Sequence, residues 1–329
     1  MSGETHTVLI TGANGFVGSR LCRRLIADGF NVIAGVRKGC NTDRLKGLEL
    51  EYRYGDITKP ETLPEMTAGV DYIIHNAGVV KVNKPEMFFT VNRDGTENLL
   101  QVADQCQTLK KMVYISSLAA AGPSEKDRPL TEDDPPHPIT AYGRSKLAGE
   151  EMVLKHKDTV NSVIIRPPGI YGPGDKEMYA FFQIVNNRIA PYLGRLSRRL
   201  QLVHVDDLAC GVSKALTAGT ESGRVYFIAE TASYGFGELV KHLCRAVDRF
   251  HVPIYVPGFV LRIIAWLSEH LMSLFGKTPM FTVEKANEIL ADWEVDVSRA
   301  RNELGFESQI SFPKGARETV FWYREEAWL

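Results

Sequence analysis

The chain has 329 residues, 44% of them apolar and 24% charged, and a formal net charge of −1. It is too long for one minimal core and lacks the cationic excess of a nucleic-acid binder, so two globular lobes and no nucleic-acid partner are expected. Its five cysteines are odd in number, far apart and never in a CxxC pair, which argues against a disulfide framework or zinc site and fits a reducing, cytoplasmic setting.

The first seven residues are polar, and the short apolar run that follows reads as a buried strand rather than a leader. Strands are expected at 7–10, 31–36, 50–54, 71–75, 111–116 and 162–166, with helices at 17–28, 91–106 and 140–156. This alternation predicts an α/β fold, a doubly wound parallel sheet (Rossmann fold) over residues 1–168, with ligands at the carboxyl ends of the strands. Prolines and glycines crowd into 167–174 and mark a change of lobe. Beyond it, helices at 205–218, 236–250, 259–275 and 282–292 predict a smaller, mostly helical substrate lobe over 169–329, some of whose strands can return to the main sheet. In 259–275, Arg262, Glu269 and Ser273 fall on one helical face, so this apolar segment is an amphipathic helix rather than a span. It either packs on its own domain, closes over a greasy substrate, or touches a membrane surface.

The turn after the first strand reads Gly12-Ala13-Asn14-Gly15-Phe16-Val17-Gly18. Glycines at this spacing, between an apolar strand and a helix, let the backbone approach a pyrophosphate and aim the helix amides at it. The second strand ends in Val36-Arg37-Lys38 with no acid to bind free ribose hydroxyls. Two cations there suit a 2′-phosphate, hence NADP(H) ahead of NAD(H), unless they are merely exposed loop charges. Asp56 can accept from an adenine amino group or simply form a turn, and Ile57 after it is expected to line the cofactor as well. Ala77 and Gly78, after the fourth strand, are small enough to leave room for the dinucleotide.

Tyr142 and Lys146 are four apart on one helix face, so phenol and ammonium point the same way, and a nearby cation favours the phenolate. Ser116 and Ser117 end the fifth strand and face the same crevice; Ser117 either orients a substrate oxygen or caps a turn. No metal site is expected. The eight histidines are dispersed, no HExxH or GxSxG occurs, and His204, with Asp206 and Asp207 nearby, reads as a strand end with Asp207 capping the next helix.

Over nearly its whole length the chain resembles the extended short-chain dehydrogenase/reductase family, within the NAD-dependent epimerase/dehydratase superfamily. The segments that carry the resemblance are TGANGFVG, YGDIT, HNAG, VNRDGT (91–96), VYISS (113–117), YGRSK, RPPGIYGPGD (166–175), VHVDDLA (203–209) and VDVSRARNELGF (295–306). The resemblance implies a catalytic set at Ser117, Tyr142 and Lys146, with Tyr142 and Lys146 also touching the cofactor. It implies nicotinamide contacts between Pro167 and Ile170, and a homodimer built from 92–106 and 140–156. Where sugar-nucleotide dehydratases carry an acidic pair, this chain has Leu118-Ala119. That stretch and Arg37 are similar to the dihydroflavonol reductase and 3-beta-hydroxysteroid dehydrogenase branches. The expected activity is NADP(H)-dependent interconversion of a ketone and a secondary alcohol on a small, hydrophobic substrate. A sugar-nucleotide epimerase with retained NAD is the alternative, and a non-catalytic dinucleotide-binding regulator is disfavoured by the intact Tyr142–Lys146 pair.

Overall fold

The structure, a computed structural model, describes residues 5–82, 84–274 and 281–329. The first half of the chain lays down six strands: β1 (Thr7–Thr11), β2 (Asn31–Val36), β3 (Glu51–Tyr54), β4 (Tyr72–His75), β5 (Lys111–Ile115) and β6 (Ser162–Arg166). Between them run α1 (Phe16–Ala27), α2 (Leu63–Thr67), α3 (Glu86–Phe89), a π-helical turn at Thr90–Asp94 that leads into α4 (Gly95–Ala103), α5 (Leu118–Ala121) and α6 (Ala141–Lys155). The second half adds β7 (Gly169–Tyr171), α7 (Tyr179–Asn186), β8 (Ile189–Leu193), β9 (Arg199–Leu200), β10 (Leu202–His204), α8 (Val205–Thr217) and β11 (Arg224–Phe227). It ends with β12 (Tyr234–Gly235), α9 (Phe236–Val247), β13 (Val252–Val256), α10 (Gly258–Leu274), α11 (Val283–Leu290), α12 (Ser298–Leu304) and α13 (Phe312–Glu325).

The central sheet has the order β11-β6-β5-β4-β1-β2-β3, and every pair in it is parallel. Parallel strands need crossover helices, and those helices cover both faces. That is why Val8, Leu9 and Ile10, or Val163, Ile164 and Ile165, are apolar in unbroken runs and fully buried. One face packs on α1, α8 and α12 through Leu21, Leu25, Leu208, Val212 and Leu304. The other packs on α2, α4 and α6 through Leu63, Met66, Leu99, Leu100 and Val153. The strand order reverses between β1 and β4, so the loops leaving them diverge and open a crevice at their carboxyl ends.

The chain after residue 169 divides between two places. Helix α8 covers α1 and β11 joins β6, so both belong to the central layer. Helices α7, α9 and α13 build the second core around Phe182, Leu243, Phe312, Val320 and Tyr323. The expected helix at 91–106 opens instead with the π turn. There the Thr96 hydroxyl donates to the Asn92 carbonyl at 2.8 Å while the Asn92 side chain binds both backbone groups of Val79. His204, not Asp207, caps α8: its Nδ1 accepts from the Asp206 amide at 3.3 Å. Asp207 turns away to accept from the amides of Gln309 and Ile310. All five cysteines are unpaired. The expected helix at 259–275 is present as α10, except that Phe275 lies outside the described residues.

Helix α6 is fixed to the sheet by charge rather than by leucines. Glu150 is 1% exposed and Arg166, at the end of β6, is 4% exposed. The Arg166 Nε and Nη2 donate to the two carboxylate oxygens of Glu150 at 2.9 and 2.6 Å, and Ser116 donates to Oε1 at 2.5 Å. Removing one partner of such a pair strands the other in a medium that cannot solvate it. Arg166→Met is therefore expected to lower the unfolding free energy by about 3–5 kcal/mol in urea denaturation; a loss under about 1 kcal/mol would show that the pair does not hold the helix.

Candidate active site

The crevice between β1 and β4 is organised by hydrogen bonds whose direction can be worked out. The Thr11 hydroxyl oxygen accepts from the amides of Asn76 and Ala77 at 3.2 and 3.1 Å. Its proton therefore goes to His75 Nδ1, 2.9 Å away. His75 Nε2 then carries the ring's proton and donates to Thr96 Oγ1 at 3.0 Å, which agrees with Thr96 donating onward to the Asn92 carbonyl. Burial, with the Lys146 charge beside it, pushes the His75 pKa down to about 3, so the ring is a neutral strut. It pins the end of β4 to β1 and to the π turn.

The glycine turn meets this strut. Gly12 has φ +66, and a Cβ there would lie 2.9 Å from the Ala77 Cα; a Cβ on Gly18 would lie 2.2 Å from the Gly12 carbonyl oxygen. Both positions must be glycine for the turn and α1 to close up. Gly15 is the N-cap of α1 and offers no side-chain oxygen, and the first turn holds no acid, so the amides following it are free for an anion. Val17 packs on the core, Phe16 lies under the Arg44 guanidinium at 5.9 Å, and Asn14 ties the turn to the Asn41 carbonyl at 3.0 Å. This cradle fits a dinucleotide pyrophosphate.

At the end of β2, exposed Arg37 and Lys38 line a cavity of about 490 Å³ together with Cys40, Tyr54, Asp56 and Lys59. Among the described residues neither cation has a carboxylate within salt-bridge distance, although the charge of Arg37 acts on Asp56. Burial pushes the Asp56 carboxyl up, but two hydrogen bonds from Thr58 and the charges of Arg37 and Lys59 outweigh it and hold the group below its usual range. Asp56 is thus a turn-forming residue and a lining residue at once. Ile57 is different: its side chain is buried in the core against Gly95, which leaves only its backbone for a ligand.

Ser117, Tyr142 and Lys146 converge at the carboxyl end of β5. Ser116 and Ser117 do not share the crevice. Successive residues of an extended backbone point to opposite sides, and Ser116 is buried on Glu150. Ser117 caps α5, its Oγ accepting from the Ala119 amide at 3.1 Å, and it also sits beside the Tyr142 phenol. The cap uses a lone pair and leaves the hydroxyl proton to donate elsewhere. Lys146 Nζ donates to the Ile115 carbonyl at 2.7 Å and lies 4.3 Å from the Tyr114 ring centroid.

Burial outweighs the expected help from the neighbouring cation. It pushes the Tyr142 pKa up to about 12, with the Ser117 hydroxyl pulling it down and Glu288 and Glu177 adding to the rise. It brings Lys146 down to about 7, with Glu150 pulling it back up. Tyr142 therefore keeps its proton at neutral pH. Ala77 and Gly78 border this group; a Cβ on Gly78 would lie 3.9 Å from Lys146 Nζ. The Pro167 carbonyl accepts from the Leu118 amide at 2.8 Å, and Ile170 lies on β7, so the turn after β6 closes the same end.

Several residues that shape the site carried no separate sign in the sequence. Asn92 Nδ2 donates to Ser145 Oγ at 2.9 Å, and Ser145 donates to the Tyr142 carbonyl at 2.7 Å, so the π turn positions the helix that carries Tyr142 and Lys146. Thr11, His75 and Asn92 stand inside the motifs TGANG, HNAG and VNRDGT, which were the only signal available for them.

Substituting Gly18→Ala is expected to weaken dinucleotide binding by more than about tenfold in calorimetry, because its Cβ cannot be placed without opening the turn. Unchanged affinity would remove the turn from the cofactor site.

The profile of the NAD dependent epimerase/dehydratase family matches residues 8–229. A ceramide reductase of Caulobacter vibrioides is 30% identical over 325 residues, covering 98% of this chain and 96% of that protein. A 3 beta-hydroxysteroid dehydrogenase/Delta 5→4-isomerase of Mycobacterium tuberculosis is 26% identical over 350 residues, covering 98% of this chain and 92% of the relative. Among solved structures, gox2253 superposes with a TM-score of 0.84 at 26% identity, covering 98% of this chain and 99% of that one. The family match over most of the chain and the site just described lead to one classification: this chain belongs to the NAD dependent epimerase/dehydratase family and is an NAD(P)-dependent oxidoreductase of the extended short-chain type.

Proposed function

We propose that the protein is an NADP(H)-dependent reductase that interconverts a ketone and a secondary alcohol on a hydrophobic, lipid-like substrate. The observation that carries this reading is a half-buried, proton-holding Tyr142 beside Ser117, followed by no acid at all: Leu118 and Ala119 are both buried. Dehydration of a sugar nucleotide needs an acid there. Reduction of a carbonyl needs only a proton donor, a hydrogen-bond donor and a hydride source. The names of the ceramide reductase and hydroxysteroid dehydrogenase relatives support a lipid-like substrate. Arg37 and Lys38, both exposed at the end of β2, support a 2′-phosphate on the cofactor.

When bound, NADPH supplies the hydride. The chain's own residues do the rest. The free amides at the start of α1 hold the pyrophosphate, and Arg37 and Lys38 hold the 2′-phosphate. Lys146 is placed to donate to ribose hydroxyls. Ser117 donates a hydrogen bond to the substrate oxygen and keeps its proton, and Tyr142 Oη transfers its one proton to that oxygen as negative charge develops on it. Lys146 and the Asn92–Ser145 contact keep Tyr142 aimed.

Tyr142→Phe is expected to abolish turnover while leaving dinucleotide affinity within about twofold, because it removes the moving proton and little else. The same phenol sets the pH profile. Reduction uses the protonated form, so the phenol adds no slope through neutral pH. Alcohol oxidation needs the ionised form, so its kcat/KM rises as pH rises, by about tenfold per unit at most. Residual turnover in the phenylalanine variant, or an oxidation rate that falls with pH, contradicts the role.

Calorimetry with the four dinucleotides tests the cofactor. NADPH is expected to bind at least about tenfold more tightly than NADH, and Arg37→Gln with Lys38→Gln should remove that preference without weakening NADH. NAD retained through purification and released only on denaturation would overturn the reading in favour of epimerisation.

A further inference from the structure

An ordinary surface helix hides its apolar stripe and shows its charges. Helix α10 turns its apolar stripe outward. Its inward positions are Leu261 and Ala265; Glu269 accepts from the Val283 amide at 3.0 Å, exposed Arg262 donates to Asn287 Oδ1 at 2.9 Å at the rim, and the exposed His270 ring lies 4.1 Å from that of Trp266. Outward stand Phe259, Ile263, Ile264, Trp266, Leu267 and Leu271, with Phe259 at 64% and Trp266 at 51% exposed. The preceding edge strand β13 adds Val252, Ile254 and Tyr255, and Phe250 before it is 78% exposed. Ten of the seventeen large apolar side chains exposed among the described residues thus fall between Phe250 and Leu271. Scattered apolar residues need no explanation, but a concentration of this kind does.

The charges around it choose the occupant. The stretch 249–268 contains Arg249 and Arg262 and no acid, and Arg188 is exposed where β13 begins, its carbonyl accepting from the Val252 amide. Asp248 and the bonded Glu269 flank the stretch. A second copy docked about a two-fold axis would bring this cationic rim against itself. A bilayer with anionic headgroups satisfies both parts: acyl chains take the apolar side chains, headgroup anions take the arginines, and Trp266 and Tyr255 suit the boundary between them. No helix among the described residues is long and apolar enough to cross a membrane, so the contact is peripheral.

We propose that the α10–β13 face docks the protein on the surface of an anionic bilayer. The face adjoins the catalytic helix. Helix α11 packs on α10, and its Glu284 accepts from the Ala141 amide at 3.0 Å and from Arg144 at 2.7 Å, on either side of Tyr142. Docking there sets the lipid surface next to the site that holds Tyr142. The proposal stands on the surface itself and does not require the reductase reading, although a lipid substrate would give docking its purpose.

The test is flotation of the purified protein with phosphatidylcholine vesicles, with and without phosphatidylglycerol, while Trp266 fluorescence is followed. The protein floats with the anionic vesicles, less with phosphatidylcholine alone and less at high salt, with a blue shift that Trp266→Phe removes. Trp266→Glu with Leu271→Glu lowers vesicle binding by more than about tenfold and leaves NADPH affinity unchanged, which shows that the fold is intact. Failure of the unmutated protein to float overturns the proposal, as does a double variant that floats equally well. A dimer that dissociates in the double variant, with no vesicle binding by either, assigns the face to a second copy and also overturns it. None of these readouts involves turnover, so the outcome is independent of the substrate.

Discussion

The buried ion pair between Glu150 and Arg166 is the constraint on which the active site depends. Helix α6 places Ser145, Lys146 and Glu150 against the sheet, where a helix of this kind would ordinarily place leucines. Such a helix is stable only if each buried polar group has a partner. Glu150 has Arg166 and Ser116, Lys146 has the Ile115 carbonyl and the Tyr114 ring, and Ser145 has Asn92. Those partners come from three elements: β6, β5 with the residue that ends it, and the π turn. The catalytic helix is therefore located by several specific contacts, and it can sit in one register only. Tyr142 gains its position from that fit.

A second set of hydrogen bonds does the same for the cofactor end. Thr11, His75 and Thr96 tie β1, β4 and α4 together just below the crevice, with the imidazole kept neutral by burial. Neutral struts suit this place. A protonated histidine there would repel Lys146, which is already brought down to about 7 by its surroundings. The two networks meet at Asn92, whose carbonyl receives Thr96 and whose side chain reaches Ser145. Cofactor turn and catalytic helix are thus parts of one polar framework laid across the carboxyl ends of β1, β4 and β5.

Six of the seven strands of the central sheet were legible, because strands buried on both faces are apolar in runs and turns between them carry glycine, proline or aspartate; β11, a short strand that returns to the sheet from the second half of the chain, was not located. The positions of Ser117, Tyr142 and Lys146 followed from chain order and the helical repeat. What could not be read was direction and partnership. Nothing in the pair Ser116-Ser117 tells which hydroxyl enters the crevice until the strand pleat is known. Ile57 looked like a lining residue and proved to be core, because its face depends on how α4 crosses the sheet. The Glu150–Arg166 pair joins residues 16 apart in sequence through two elements, and no local pattern records it. Helix α13 was missed for a related reason: its buried Phe312, Val320 and Tyr323 serve the second core, which is assembled from three distant segments. In α10 the stripe was seen, but its orientation was a matter of packing, and the apolar side proved to face outward.

The reaction proposed is net hydride transfer from NADPH to a carbonyl carbon beside Tyr142. It is tested most directly with NADPH carrying deuterium on the transferred position and a long-chain ketone as acceptor, the product being analysed by mass spectrometry. One deuterium on the carbinol carbon of the alcohol and one NADP⁺ released for each product molecule are expected. Conversion of substrate with no label incorporated and no NADP⁺ released would contradict it, since hydride would then be returning to the molecule from which it came.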